Sequence, residues 1–290
     1  MTAPAPALAP AGRGPSRAAR VRWALTDGLT LVERELGRLR REPGELLTAL
    51  IFPAILVVLF GYVFGSAIAV PGGGNYREYL MPGLFAMVTF TSTMAVTLRV
   101  ATDASRGVMD RFRAMPMARS AVPFGQTGAE ALNGVLGLAI MAATGLLVGW
   151  RAHGGIVPTA QAFLLLLLTR YALSWVGCHI GLMVKNERTA DQLVPLVFPI
   201  TMLSNAFVPT DGMPTVLRVI AEWNPVSALT AACRDLFDNP GAPATGPAAG
   251  PGAETAWPLA HPVAATLGWT ALLLVIFVPL SVRTYRRRGR

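Results

Sequence analysis

The chain has 290 residues, 53% of them hydrophobic and only 14% charged, with a formal net charge of +9. Soluble domains carry about a quarter of charged residues, so this composition excludes an ordinary soluble enzyme. Nucleic-acid binding needs a basic face on a soluble domain, whereas these arginines gather at the ends of apolar runs.

Residues 1–20 are Ala/Pro-rich without a continuous apolar core, which predicts a disordered tail rather than a signal peptide. In 21–45, Trp23, Leu25, Leu29, Val32, Leu36 and Leu39 recur at spacings near one helical face, with arginine and glutamate between them. This predicts an amphipathic helix on the inner membrane surface; a solvated cytoplasmic helix is the alternative. Six apolar stretches follow, at about 46–70, 80–101, 125–149, 161–184, 192–209 and 262–282. Each approaches the ~20 residues needed to cross ~30 Å of hydrocarbon, and a basic tail, 283–290, closes the chain. The fifth stretch is short, and Pro195 and Pro199 are placed to break it. Between the last two stretches, 210–261 is expected to hold two short helices broken at Asn224-Pro225, then a flexible Pro/Gly-rich segment, 239–256.

Twenty lysines and arginines fall before the first stretch, between the second and third, between the fourth and fifth, and after the sixth. Only Arg77, Arg151, Arg218 and Arg234 fall in the opposite loops. The asymmetry predicts that both termini face the cytoplasm, with 46–282 inserted through its own first span without cleavage. The fold class is thus an all-α polytopic membrane protein with six transmembrane helices.

Little in the sequence suits catalysis. The sole lysine, Lys185, lies outside any glycine-rich phosphate loop, so the chain does not bind ATP by that route and any ATPase is a separate chain. His153, His179 and His261 are scattered, and the adjacent Cys178–His179 pair points ~100° apart on a helix, which predicts no metal site. Cys178 inside an apolar run and Cys233 outside one are expected to be unpaired. Two charges stand within apolar stretches. Counted from the cytoplasmic ends, Arg170 is ~21 Å deep and Glu130 ~9 Å deep at helical rise, which predicts no direct pair. Arg170 is expected to face a hydrated cleft or backbone carbonyls, or to snorkel, with a structural role favoured over contact with a substrate.

The charged stretch DASRGVMDRFRAMPMA, 103–118, interrupts these spans. Val108, Phe112 and Met115, with Met109 beside them, share one helical face, while Arg106, Asp110, Arg111 and Arg113 lie on others and Pro116 ends the helix. Topology needs the arginines but not the apolar knob, so a short cytoplasmic helix that docks into a partner's groove is favoured over a topology loop. For a hydrophobic cargo, Phe60, Tyr62, Phe64, Phe85, Met87 and Phe90, with Ser204 and Asn205, offer polarizable and polar surface. The alternative is ordinary packing or lipid contact. Gly61 and Gly65 are spaced for helix contact.

The stretches FPAILVVLFGYVFGSAI, YREYLMPGL, DASRGVMDRFRAMP, FPITMLSNAFVPTDGMP and AEWNPVSAL resemble the type-2 ABC transporter permeases, above all the DrrB-like drug-resistance exporter subunits of actinomycetes. The resemblance implies a bacterial plasma-membrane half-transporter working as a homodimer, or with a paralogous permease. It implies two copies of a P-loop ATPase that carry ATP and Mg, no cofactor on this chain, and no nucleic-acid partner. The N-terminal amphipathic stretch becomes the interfacial helix, and the segment after the fifth span becomes external re-entrant helices. Arg106, Gly107, Met109, Asp110, Arg111, Phe112, Arg113 and Met115 become the coupling helix. Cargo would be an amphipathic drug, moved by alternating access at the dimer interface, or else a lipid or glycan. A secondary transporter coupled to ions would want acids buried mid-span, and only Glu130 comes near.

Overall fold

The computed structural model describes residues 75–106, 121–184, 187–193, 197–208, 210, 213–239 and 256–287, together with Ile55 and Leu59. The expected interfacial helix 21–45, the first span and most of the charged stretch lie outside the described residues.

Asn75 opens the first described helix, α1 (Tyr76–Ser105), by accepting a hydrogen bond from the Arg77 amide at 3.0 Å, with Glu78 in the first turn. Cap and carboxylate both suit the positive end of the helix dipole. The helix outruns the expected 80–101 because Tyr76–Tyr79 and Thr102–Ser105 lower hydropathy without interrupting helical hydrogen bonding. α2 (Ala121–Val148) ends in a Schellman turn, the Trp150 amide reaching the Gly145 carbonyl at 2.9 Å and the Gly149 amide that of Leu146 at 3.3 Å. Gly149 has φ 98°, which a side chain would oppose. The short link to α3 (Ile156–Met183) makes α2 and α3 antiparallel neighbours.

α1 and α3 pack most intimately. Gly177 and Gly181 on α3 leave no room for a side chain, because a Cβ at Gly177 would strike the Thr93 carbonyl and one at Gly181 would lie 2.7 Å from the Thr97 carbonyl. Thr97 Oγ1 donates across the seam to the Gly177 carbonyl at 3.2 Å. This is the small-xxx-small contact by which helices approach where no hydrophobic force separates helix from lipid.

The expected fifth span, 192–209, is not a single helix. Its described parts are α4 (Glu187–Leu193), α5 (Val197–Met202) and a turned segment through 208. The break comes where side chains rather than a helical ladder take the backbone groups. Asn224 Nδ2 donates to the carbonyls of Ile200 at 2.8 Å and Leu203 at 2.7 Å, and the Asn205 amide goes to Ser227 Oγ at 3.0 Å. The expected break at Asn224-Pro225 separates α6 (Thr215–Trp223) from α7 (Pro225–Phe237). Asn224 Oδ1 caps α7 through the Val226 amide at 2.9 Å, so one side chain ends one helix and starts another. α8 (Trp257–Ala260) and α9 (Pro262–Arg287) complete the described chain.

α7 is buried against α1 and α3. Phe237 and Phe85 join Trp150 and Phe163 in a four-ring cluster with centroids 5.1–5.9 Å apart. A second Schellman turn ends α7 on Asp238, at φ 54°. Asn239 then accepts from Trp150 Nε1 at 2.8 Å and donates to the Arg151 carbonyl at 2.9 Å. α9 lies on α3 through the Thr169–Thr270 hydroxyl pair, 3.1 Å apart, and Ser281 bonded to the Trp175 carbonyl at 3.1 Å. Among the described residues there is no strand, and α1, α2, α3 and α9 each supply a stretch long and apolar enough to cross a membrane. Their exposed leucines and valines, such as Leu146, Leu164 and Val275, form a surface suited to lipid.

Candidate functional site

Three helices each place one charge in a common cluster. Glu130, on α2, is only 2% exposed. Its Oε1 accepts from Arg170 Nη2 of α3 at 2.7 Å, and Arg99 Nη1 of α1 lies 3.3 Å from Oε2. Arg170 Nη1 also donates to the Val88 carbonyl at 3.3 Å. The direct Glu130–Arg170 pair corrects the expectation drawn from depth. α2 begins at Ala121, a turn earlier than expected, so Glu130 is ~14 Å in and Arg170 ~20 Å in at helical rise. Gly134, one turn beyond Glu130 on the same face, closes the remaining gap: a Cβ there would sit 2.6 Å from Arg170 Cδ. The arginine stem therefore lies across the bare backbone of Gly134 and reaches back one turn to the carboxylate. Both carboxylate oxygens face guanidinium groups, and the Val88 carbonyl beside Arg170 is one of the three surroundings expected for that arginine.

A second polar centre holds the turn after α5. Arg234, in the last turn of α7, is 1% exposed. Its Nε and Nη2 both donate to the Tyr79 carbonyl at 3.1 Å, and Nη2 also reaches the carbonyls of Asn205 at 2.9 Å and Ala206 at 3.1 Å. The guanidinium carbon stands 3.6 Å over the Tyr79 ring. Burial pushes the Arg234 guanidinium below its ordinary value, while the neighbouring Tyr79 and Tyr76 phenols act in the opposite sense. Tyr79 and Tyr76 hydroxyls donate to the Asn205 carbonyl at 3.0 Å and the Phe207 carbonyl at 2.6 Å. Gly83 lets the Ala206 carbonyl touch α1 directly. Non-helical backbone beside membrane spans persists only where protein satisfies its polar groups, and this knot does so.

Sequence reasoning placed Arg234 among the outer-loop arginines and so missed its role. The signal was present: Arg234 falls four residues after Thr230 and eight after Val226, on the face that carries α7 into the core. Arg99, counted for topology, and Gly134 were missed because each matters only through its neighbours on other helices.

Of the residues expected along a cargo path, Phe85, Met87 and Phe90 are packed inside the chain, Phe85 at the centre of the four-ring cluster. Ser204 and Asn205 are buried in the knot, Ser204 Oγ donating to the Thr201 carbonyl and accepting from the Ala206 amide at 3.2 Å. Arg106 is exposed just past the end of α1, its amide bonded to the Thr102 carbonyl at 3.0 Å. Phe60, Tyr62, Phe64, Gly107, Met109, Asp110, Arg111, Phe112, Arg113 and Met115 lie outside the described residues. Cys178 and Cys233 are both buried free thiols.

Comparison with known proteins gives this architecture a context. The profile of the family described as "ABC-2 type transporter" matches residues 27–237. The chain is 28% identical to the daunorubicin resistance ABC transporter permease protein DrrB1 of Streptomyces coeruleorubidus, across 96% of this chain and 91% of that protein. It is 25% identical to the probable doxorubicin resistance ABC transporter permease protein DrrC of Mycobacterium tuberculosis, across 94% and 92%. The probable multidrug ABC transporter permease YbhR of Escherichia coli is 25% identical over 56% of this chain and 44% of its own length.

Proposed function

Because the chain belongs to the ABC-2 type transporter family, we propose that it is the membrane subunit of an ATP-driven exporter of a hydrophobic or amphipathic drug-like molecule. The observation that carries the cargo class is similarity along 96% of the chain to a permease of daunorubicin resistance. In this reading the chain resides in a bacterial plasma membrane with both termini inside. It pairs with a second copy of itself, spans the bilayer six times and binds two copies of a P-loop ATPase that hold ATP and Mg.

The segment from Arg106 to Met115 is the coupling element, its apolar face of Met109, Phe112 and Met115 seated in the ATPase. α1 ends directly before this segment and is about 45 Å long at helical rise. It carries Arg99 toward the coupling end and Tyr76 and Tyr79 at the other, so a push on Arg106 is delivered to both polar centres by one rod. Alternating access then consists of α1 shifting against α2 and α3, with the cargo path formed where two copies meet. An ion-coupled carrier is disfavoured because both Glu130 oxygens face guanidinium groups instead of an open path.

The test is uptake into inside-out vesicles carrying this chain and its ATPase partner, with daunorubicin as probe. Accumulation that requires ATP and ignores a protonophore is expected. Uptake driven by a proton gradient without ATP, or no anthracycline movement at all, overturns the reading.

A further inference from the structure

We infer that the groove between α6, α8 and α9 is a binding site for one acyl chain of a membrane phospholipid. Trp223 from the end of α6, Trp257 from α8, and Gly268, Trp269 and Leu272 from α9 line a cavity of about 230 Å³. No charged side chain lines it, and the indoles are the only lining side chains able to hydrogen-bond. Sites for drug-sized ligands run about 300–1,000 Å³ and carry a few placed polar groups. This groove is too small and too apolar for such a cargo, but it suits a hydrocarbon chain.

Two features argue for the bilayer as the source. Leu272 is both a wall of the groove and part of an exposed apolar face that runs on through Val275 and Ile276 along α9. α9 carries one of the four stretches able to cross a membrane, so the groove is continuous with a lipid-facing surface. α6, in turn, exposes Val216, Val219, Ile220 and Trp223 at helical spacing while Arg218 and Glu222 pair at 3.9 Å elsewhere on the helix. Such a helix lies in the interface plane with its apolar side in the leaflet, and tryptophan prefers that level. The groove is where this interfacial helix meets the crossing one, and a chain running beside α9 enters it lengthwise.

Gly268 supplies the test, because a Cβ there meets nothing within 4 Å. Gly268→Phe adds a ring at a position of the groove wall where a Cβ is free, whereas Gly268→Ala adds only that Cβ. The full-length protein in detergent micelles is titrated with phosphatidylglycerol brominated on its acyl chain, and tryptophan fluorescence is read. Wild type and Gly268→Ala are expected to show a saturable quenching component with a stoichiometry of one lipid per chain. Gly268→Phe is expected to lose most of it, and Trp257→Ala, which removes one wall, to weaken it severalfold. Saturable quenching that is unchanged in Gly268→Phe, or absent from wild type, overturns the proposal. So does a Gly268→Phe chain whose oligomeric state shifts while its lipid binding stays intact, since the groove would then be a contact between copies. The inference rests on membership of a membrane transporter family and not on the cargo, so failed daunorubicin uptake leaves it standing.

Discussion

Without the Glu130 carboxylate, the buried Arg170 guanidinium keeps only the Val88 carbonyl, 3.3 Å away, as a described hydrogen-bond acceptor. Breaking a buried pair by removing one partner costs about 3–5 kcal/mol, whereas replacing both partners by apolar residues is often neutral. Glu130→Ala is therefore expected to lower the thermal midpoint of the purified protein markedly. Glu130→Leu combined with Arg170→Met is expected to recover most of the loss. Arg99 is 47% exposed at its side chain, and its contribution is at most about 1 kcal/mol, so Arg99→Ala is expected to shift the midpoint little. Equal losses in the single and double core variants would show that the pair does not carry the stability of the cluster.

The junction of α5 and α7 depends on a single amide. Asn224 caps α7 with its oxygen and occupies two carbonyls of the preceding segment with its nitrogen. Loss of a cap costs about 0.5–2 kcal/mol, and the two carbonyls it strands are only partly buried, so each adds less than the about 1–3 kcal/mol of a fully buried one. Asn224→Ala is expected to destabilise by about 1–3 kcal/mol. Asn224→Asp, which keeps the cap but not the donations, is expected to fall between it and wild type, with thermal unfolding in detergent as the measurement. This junction also marks how far the sequence could be read. The Asn-Pro pair announced the break between α6 and α7, because asparagine caps and proline suits the first helical turn. The rupture of the fifth span was half legible: Pro195 and Pro199 made a break plausible, but its shape rests on Asn224 and Arg234, which lie far along the chain. The α1–α3 seam at Gly177 and Gly181 was legible as a spacing yet hidden among many glycines. Glu130 and Arg170 escaped because hydropathy finds helix centres well and helix ends poorly, and one turn decided whether the two could meet.

At the scale of the whole molecule, the proposed export cycle needs force to pass from a separate ATPase into the spans. Phe112 lies at the centre of the proposed docking face, one turn from Met109 and Met115. Phe112→Asp places a charge where a groove expects a ring. The variant is expected to insert and assemble normally while ATPase copurification falls severalfold and drug efflux is lost. Normal copurification with normal efflux would remove this segment from the mechanism. The family and the drug-resistance likeness were legible in short stretches such as AEWNPVSAL because those residues carry local turn chemistry. The charge cluster and the carbonyl knot were not, since each is assembled from helices far apart in sequence.

The stem of Arg170 lying across Gly134 also limits how this protein can change over generations. While Arg170 is held at its tip by Glu130 and Val88, its middle cannot swing aside, and any side chain at position 134 meets it. Position 134 is therefore closed until Arg170 is gone, and Arg170 cannot leave cheaply before Glu130 has changed too. Once a larger residue fills position 134, the route by which an arginine at 170 reaches the carboxylate is shut. Descent through this cluster has an order, and it behaves as a ratchet.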